Sequence, residues 1–499
     1  MNVALVKLEI PPGVVRRGTV YEVQGRWYDS HLIRWNQGVM GPIGGWTQRT
    51  TSAMTGKARA GIAWRDDSSV RWMAWGTNSK LYAGTQSVVA LSDITPAALV
   101  TGAADATAAG GYGSLDYGEG TYGTARVDAT AIQEAAVWTL DTFGQYLVAC
   151  LSDDGRIFQW QLNTAVAAAA LGGSAPTANR GVVVTPERFC FALGAGGNKR
   201  LVQWGDQESL STWTPSATNQ AGSFELATQG QLMCGKRLRA VTLLFTDLDV
   251  HAATYIGLPY VYSIQRVGEN CGIISRGAAA VADTRAFWMG KSGFFYSDGS
   301  QTLPLACDVY EAVFNDMNTT QASKIWAMPQ AGKNEIWWGF PSAASSECDK
   351  IVVFNYLEGH WALHSLTRLA GVDRGIFNNP IMADSSGYLW DHETGYSYTG
   401  ALTTDPYAES GPYELGEGDR IMRARRLIAD EKTTADVTVS FKVRDWPNDS
   451  ETTYGPYTPA NPTSIRFSAR QTRIKVTGEV ATGWRWGSPR VDVIEGSKR

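Results

Sequence analysis

The chain is expected to be all-β, a β-propeller of about six or seven blades with a small β domain appended at its C-terminal end; three observations lead there. Many stretches of five to eight β-branched and aromatic residues are separated by Asp, Asn, Ser and Gly turns. Large aromatics are plentiful, with 19 Trp, 20 Tyr and 15 Phe beside 53 Gly in 499 residues, while only 18% of the residues are charged, a mix that disfavours disorder, collagen and long coiled coils. The third observation is a repeated unit, a polar or glycine turn followed by a short aromatic strand: NSKLYAG, DDGRIFQW, NKRLVQW, KSGFFYSD, KNEIWWGF and DSSGYLWD.

The hydrophobic centres of these units lie near Leu81, Ile157, Leu201, Phe294, Ile336 and Leu389. From Ile157 onward most spacings are about 40 to 50 residues, the length of a propeller blade. One gap is about twice that, and LPYVYSIQ around Tyr260 is the candidate unit inside it. Residues 1–50 read as N-terminal strands and an interface segment, 51–398 as the propeller, and 399–499 as the C-terminal β domain. That last region alternates through VTVSFKV, SIRFSA, TRIKVTG, WRWG and RVDVIEG.

Within the propeller, residues 101–127 hold glycine beside tyrosine without periodicity and read as a long loop. Helical signals are few. Val309, Val313 and Met317 recur at i, i+4, i+8 after Pro304, and Ala165 to Leu171 is an Ala-rich possibility.

Charge narrows the function. Forty-four Lys and Arg against 48 Asp and Glu leave a net charge of -4 and a pI near 5.9, so there is no bulk positive field for tight binding of DNA or anionic membrane. Residues 401–499 carry 15 basic and 14 acidic side chains, so no domain is a basic module. Six cysteines, Cys150, Cys190, Cys234, Cys271, Cys307 and Cys348, are spread without CxxC and read as small buried hydrophobes in a reducing compartment. The start, MNVALVKLEIPPGVV, is broken by Glu9 and two prolines and is not a signal peptide. The longest apolar run is too short to cross a bilayer, and the protein is expected to be soluble when made.

Signatures of chemistry are missing: there is no GxSxG elbow, P-loop or HExxH. GAGGNKR from Gly194 has the wrong glycine spacing for a dinucleotide and reads as a hairpin turn. In TDLDVH a strand would put Asp247, Asp249 and His251 on one face, weighed against a solvated face or a turn at Asp247. A propeller glycosidase needs two close carboxylates. Asp66 with Asp67, Asp153 with Asp154, and Asp384 are the obvious acids, but each sits in a turn before a strand, where Asp closes hairpins through its own side chain. Ser152-Asp153-Asp154-Gly155 is one residue short of the sialidase turn pattern. No catalytic, cofactor or metal residue is assigned, and the chain is not expected to be an enzyme.

Trp and Arg cluster at Arg26, Trp27, Arg34 and Trp35, at Trp46, and at Trp484 and Trp486. Such residues suit either an interface or a core with arginine covering it, and they are the candidate interface set together with Arg423. Arg420, Arg423, Arg425 and Arg426 form a local basic stripe, read as solvated or acid-paired rather than DNA-binding.

Several strings resemble one family: LEIPPGVVRRGTVYEVQGRWYDSHLIRW with GPIGGW, the Gly/Tyr loop, FNDMNTTQASKIWAM with EIWWGFPSA, VFNYLEGHWALHSL, AGVDRGIFNNPIMADSSGYLWDHETG and ELGEGDRIMRARRLIADEK. Over nearly the whole chain they resemble the tail nozzle, or distal tail-tube, proteins of short-tailed bacteriophages. The resemblance implies a propeller with appended β domains and a homohexameric ring below the portal and adaptor. Its partners would be the head-to-tail connector and tail fibre or tip proteins, in a virion tail assembled in the host cytoplasm. Genomic double-stranded DNA would pass through without specific binding, which a neutral or acidic wall would favour. On this view the Arg26–Trp35 segment and the C-terminal domain supply ring faces, while the Gly/Tyr loop projects to a partner or into the lumen. The alternatives are a propeller hydrolase or a binding module acting on host surface glycan or protein.

Overall fold

The computed structural model describes residues 3–19, 21–87, 89–109, 131–398, 404–414, 420–430, 436–478 and 482–496. Runs of β-branched, aromatic and small residues give short, strongly buried strands, and these pair into antiparallel sheets of four. Seven such sheets form the blades. They cover residues 58–93, 138–170, 181–225, 232–268, 279–305, 326–365 and, for blade 7, 370–392. The chain is therefore a seven-bladed β-propeller, at the upper end of the expected count.

The innermost strands are Ala58–Arg65, Trp138–Phe143, Gly181–Val184, Leu232–Arg237, Ala279–Ala282, Trp326–Gln330 and Ala370–Val372. Each packs beside the next, and the last packs beside the first, so the ring closes. Strand pairing also seals the ring: the outer strand of blade 7 is Trp46–Gln48, pairing Gln48 with Trp390 and Trp46 with His392. Sealing a ring with a strand from the other end of the domain leaves no blade to separate independently.

Between blades, side chains substitute for a ladder. Thr139 and Asp141 on the inner strand of blade 2 accept from the amides of Val182 and Val184 on blade 3, at 2.9 and 2.8 Å. Tryptophans fill the wedges by lying flat on glycines. A Cβ at Gly76 would sit 2.3 Å from the Trp138 ring, and one at Gly339 would sit 2.2 Å from that of Trp326.

The second domain is a β-sandwich built from both chain ends. One sheet runs Val3–Lys7, Arg490–Glu495, Met422–Ile428, Thr463–Ala469; the other runs Trp27–His31, Tyr407–Ser410, Gln471–Gly478, Val437–Arg444, Thr452–Tyr457, with Tyr413–Glu414 also on Gln471–Gly478. Strict alternation puts Val437, Val439, Phe441 and Val443 inside with Ile465 and Phe467. Residues 1–50 thus divide among three places: two sandwich strands, the hairpin Ile33–Asn36 with Val39–Pro42, and the closing strand of blade 7. One apolar core runs from the propeller tryptophans through this hairpin into the sandwich.

Two local expectations change. The helix after Pro304 shrinks to Tyr310–Phe314, although Val309, Val313 and Met317 are all buried as the spacing required. The Ala-rich stretch is not helical; it ends in the outer strand Ala169–Ala170 of blade 2, because pairing with Phe158 and Gln159 outweighs alanine's propensity in so short a run. Residues 110–130 of the Gly/Tyr loop lie outside the described residues.

Candidate functional site

Most of the candidate interface set lies inside the protomer. Trp27, Trp35, Trp46, Trp484 and Trp486 are 1–4% exposed and Arg34 is 9% exposed, which corrects the expectation that they form a surface between subunits. The physical reason is position. The strands carrying them run between propeller and sandwich, so each ring meets core on both sides. Trp46 lies 4.8 Å from Tyr398 and 5.2 Å from His392, under the Arg368 guanidinium. Met40 and Trp486 pair through their backbones, and the Trp484 indole lies over Gly478. Arg26 is half-buried, and of this set only Arg423 is exposed.

Arg34 is the strongest polar anchor of that junction. Its Nε and Nη2 donate to Glu335 at 2.5 and 2.9 Å, and Nη1 and Nη2 donate to Glu393 at 3.1 and 2.9 Å. Nη2 also reaches Gln330. The hairpin is thereby pinned to blades 6 and 7. Burial alone would raise the Glu393 carboxyl, but Arg34 and Gln330 outweigh it and hold it at about 2.

The acids considered for catalysis close hairpins. Asp66 accepts from the Val70 amide and the Trp72 indole, both within seven residues. Asp384 repeats the device with the Ser386 and Tyr388 amides and the Trp390 indole. Asp154 holds Arg156 and the Val100 amide, and Asp153 takes Ser152. Asp67, beside Asp66, sits in the same turn. Asp247 lies in a turn and accepts from the Gln231 amide, while Asp249 and His251 meet each other at 3.2 Å. Among the described residues no three potential metal ligands come together. GAGGNKR is the turn between the second and third strands of blade 3, where Gly194, Gly196 and Gly197 take positive φ. Burial pushes the Cys150 thiol up to about 12 and Cys234 to about 11, so these sulfurs pack rather than react.

What the geometry brings together instead is the propeller axis. A cavity of about 440 Å³ is lined by the inner strands of all seven blades, a size typical of small-ligand pockets. Over one mouth, Arg59 of blade 1 donates to Glu347 at 2.8 Å and to the carbonyl of Ala104. Lys324, fully buried, bonds Asp105 and Glu347. Arg276 bonds Glu134 at 2.9 Å, and Gln321 bonds the Ala106 backbone through both its amide groups. Blades 1, 5 and 6 therefore grip both roots of the Gly/Tyr insertion, residues 104–106 and 134–136. Nearer the other mouth, Asp141 is raised by burial despite Arg237 at 2.6 Å, and Asp373 is raised by burial as well.

These axis residues escaped the sequence reading. A signal was present: Arg59, Arg180, Arg276, Lys324 and Arg368 each stand at or just before an inner strand. Five of seven blades thus carry a cation within about three residues of the start of the inner strand.

No family model and no curated protein matches this chain. Among solved structures it is similar to PorZ, a surface component of the type-IX secretion system of Porphyromonas gingivalis, at 9% identity and a TM-score of 0.36. That match covers 85% of this chain, which spans 46% of the length of PorZ. It is also similar to the Pan2 WD40 domain of Neurospora crassa, at 10% identity, 71% and 98% coverage and a TM-score of 0.39. YCF48 from Cyanidioschyzon merolae matches at 6% identity, 70% and 98% coverage and a TM-score of 0.39.

Proposed function

We propose that this chain is a structural subunit of a short-tailed phage tail, a nozzle whose homo-oligomeric ring continues the DNA-ejection channel below portal and adaptor. The observation that carries the reading is the joining of a closed propeller to a sandwich made from both chain ends, sealed by one continuous core. Such a unit is rigid, and rigidity is what a ring closed by heterologous faces requires. The tail-protein resemblance of the sequence supplies the setting, and the hairpin duties of Asp66, Asp154 and Asp384 agree with a scaffold. A cavity of about 440 Å³ is too small for a duplex, so DNA would travel between subunits rather than along a propeller axis.

Gold-labelled antibody against the chain, imaged on negatively stained virions, tests this reading. Label at the tail tip is the expected result, and virions without label would refute it. A second reading, a propeller that binds a host glycan or protein, draws on the axial cavity. A stable monomer capturing one such partner would favour it.

A further inference from the structure

We infer that the outer face of the sandwich sheet Val3–Lys7, Arg490–Glu495, Met422–Ile428, Thr463–Ala469 is a binding surface for the phosphate backbone of double-stranded nucleic acid. In a chain of net charge -4 this face is basic. Arg423, Arg425, Arg426, Arg466, Arg490 and Lys7 are all exposed on it, drawn from all four strands. The register sets Arg423 opposite Ser468, one diagonal step from Arg466.

A β-bulge concentrates the charge. Pairing of Met422–Ile428 with both neighbours slips between Ala424 and Arg426, so Arg425 and Arg426 both turn outward where regular alternation would bury one of them. Core residues Ala424 and Leu427 keep their places on either side. Lys7 is already paired with the Glu9 carboxylate, and a second carboxylate on this face is Asp492. It is 3% exposed and already takes Nε and Nη2 of Arg426 at 2.9 and 2.8 Å. Arg423, Arg425, Arg466 and Arg490 are left facing solvent. Like charges on neighbouring strands repel, and a polyanion relieves that repulsion.

The occupant follows from chemistry. Arginine forks match phosphate oxygens. No outward-facing residue here is aromatic, so the stacking platform that single strands need is missing. A sheet face without a projecting helix or loop does not enter a groove, so contact is with the backbone and independent of sequence. This surface stands apart from the ring reading, since either can fail without the other.

Fluorescence anisotropy of a labelled duplex of about 20 base pairs, titrated with the full chain from about 50 to about 200 mM NaCl, tests it. Saturable binding is expected, equal for an unrelated sequence, with log affinity linear in log salt. Changing Arg423→Gln, Arg425→Gln and Arg466→Gln together should weaken binding at low salt by about tenfold or more and flatten the slope by about 2 to 3. The exposed propeller change Arg285→Gln should alter neither. Far-UV circular dichroism and a native mass unchanged from the parent would confirm that the triple variant is folded. No saturable binding, or a triple variant indistinguishable from the parent, would overturn the assignment. So would poly-glutamate displacing the duplex at equal charge, which would make the partner an acidic polypeptide.

Discussion

Arg34 shows how much one side chain can hold. It joins two carboxylates and an amide from two blades while sitting on a hairpin outside the propeller. Arg34→Ala would strand Glu335 and Glu393 in the core and should cost about 3–5 kcal/mol, read as a shift of the urea midpoint. Acid should expose the same region. His364 is pushed down to about 3, first by burial and then by His31 and Arg34, and His31, His360 and His392 are lowered too. Below about pH 6.5 the unfolded chain binds protons that the folded imidazoles refuse. Stability is therefore full above that pH and falls as pH drops toward 3, with Glu393 adding loss from about 4.3 down to about 2. His364→Gln should flatten the fall by about 1.4 kcal/mol per pH unit between pH 6 and 4, measured by urea titration at each pH. The hairpin aspartates were legible in the sequence, because an Asx turn is local. Arg34's partners lie about 300 residues away, and no spacing announces them.

At the scale of elements, the tryptophan–glycine contacts set what the blades tolerate. Gly76→Ala would drive a methyl group into Trp138 and should cost about 1–3 kcal/mol, read by thermal unfolding. Trp35→Ala empties a fully buried site and should cost about 3–5 kcal/mol, lowering Tm before any change in assembly appears. The blade rhythm was readable because one strand per blade repeats its turn: Leu81, Ile157, Leu201, Phe294 and Leu389 all fall in third strands. Ile336 falls in a second strand, Glu335–Phe340, which is buried throughout and so carries the same apolar signature. The bulge at Arg425 and its neighbour Arg466 were hidden, since strand pairing across the sheet is not written in either strand alone. The closing strand Trp46–Gln48 was hidden for the same reason.

For the whole molecule, closure comes from both ends of the chain, so the two domains should unfold together. Removing residues 1–50 deletes two sandwich strands and the outer strand of blade 7. Calorimetry of that truncation should show a lower, broadened transition in place of one cooperative peak, whereas an unaltered peak would mean that the ends are accessory. Sequence patterning separated propeller from C-terminal strands but left the first 50 residues as a segment of their own, because β pairing over some 400 residues leaves no periodic trace. Under the proposed function, this unit exists to assemble. Mass photometry of the purified full-length chain tests it most directly: a closed ring at a fixed multiple of 54.1 kDa is the result required. A single species at 54.1 kDa over the whole concentration range would contradict it.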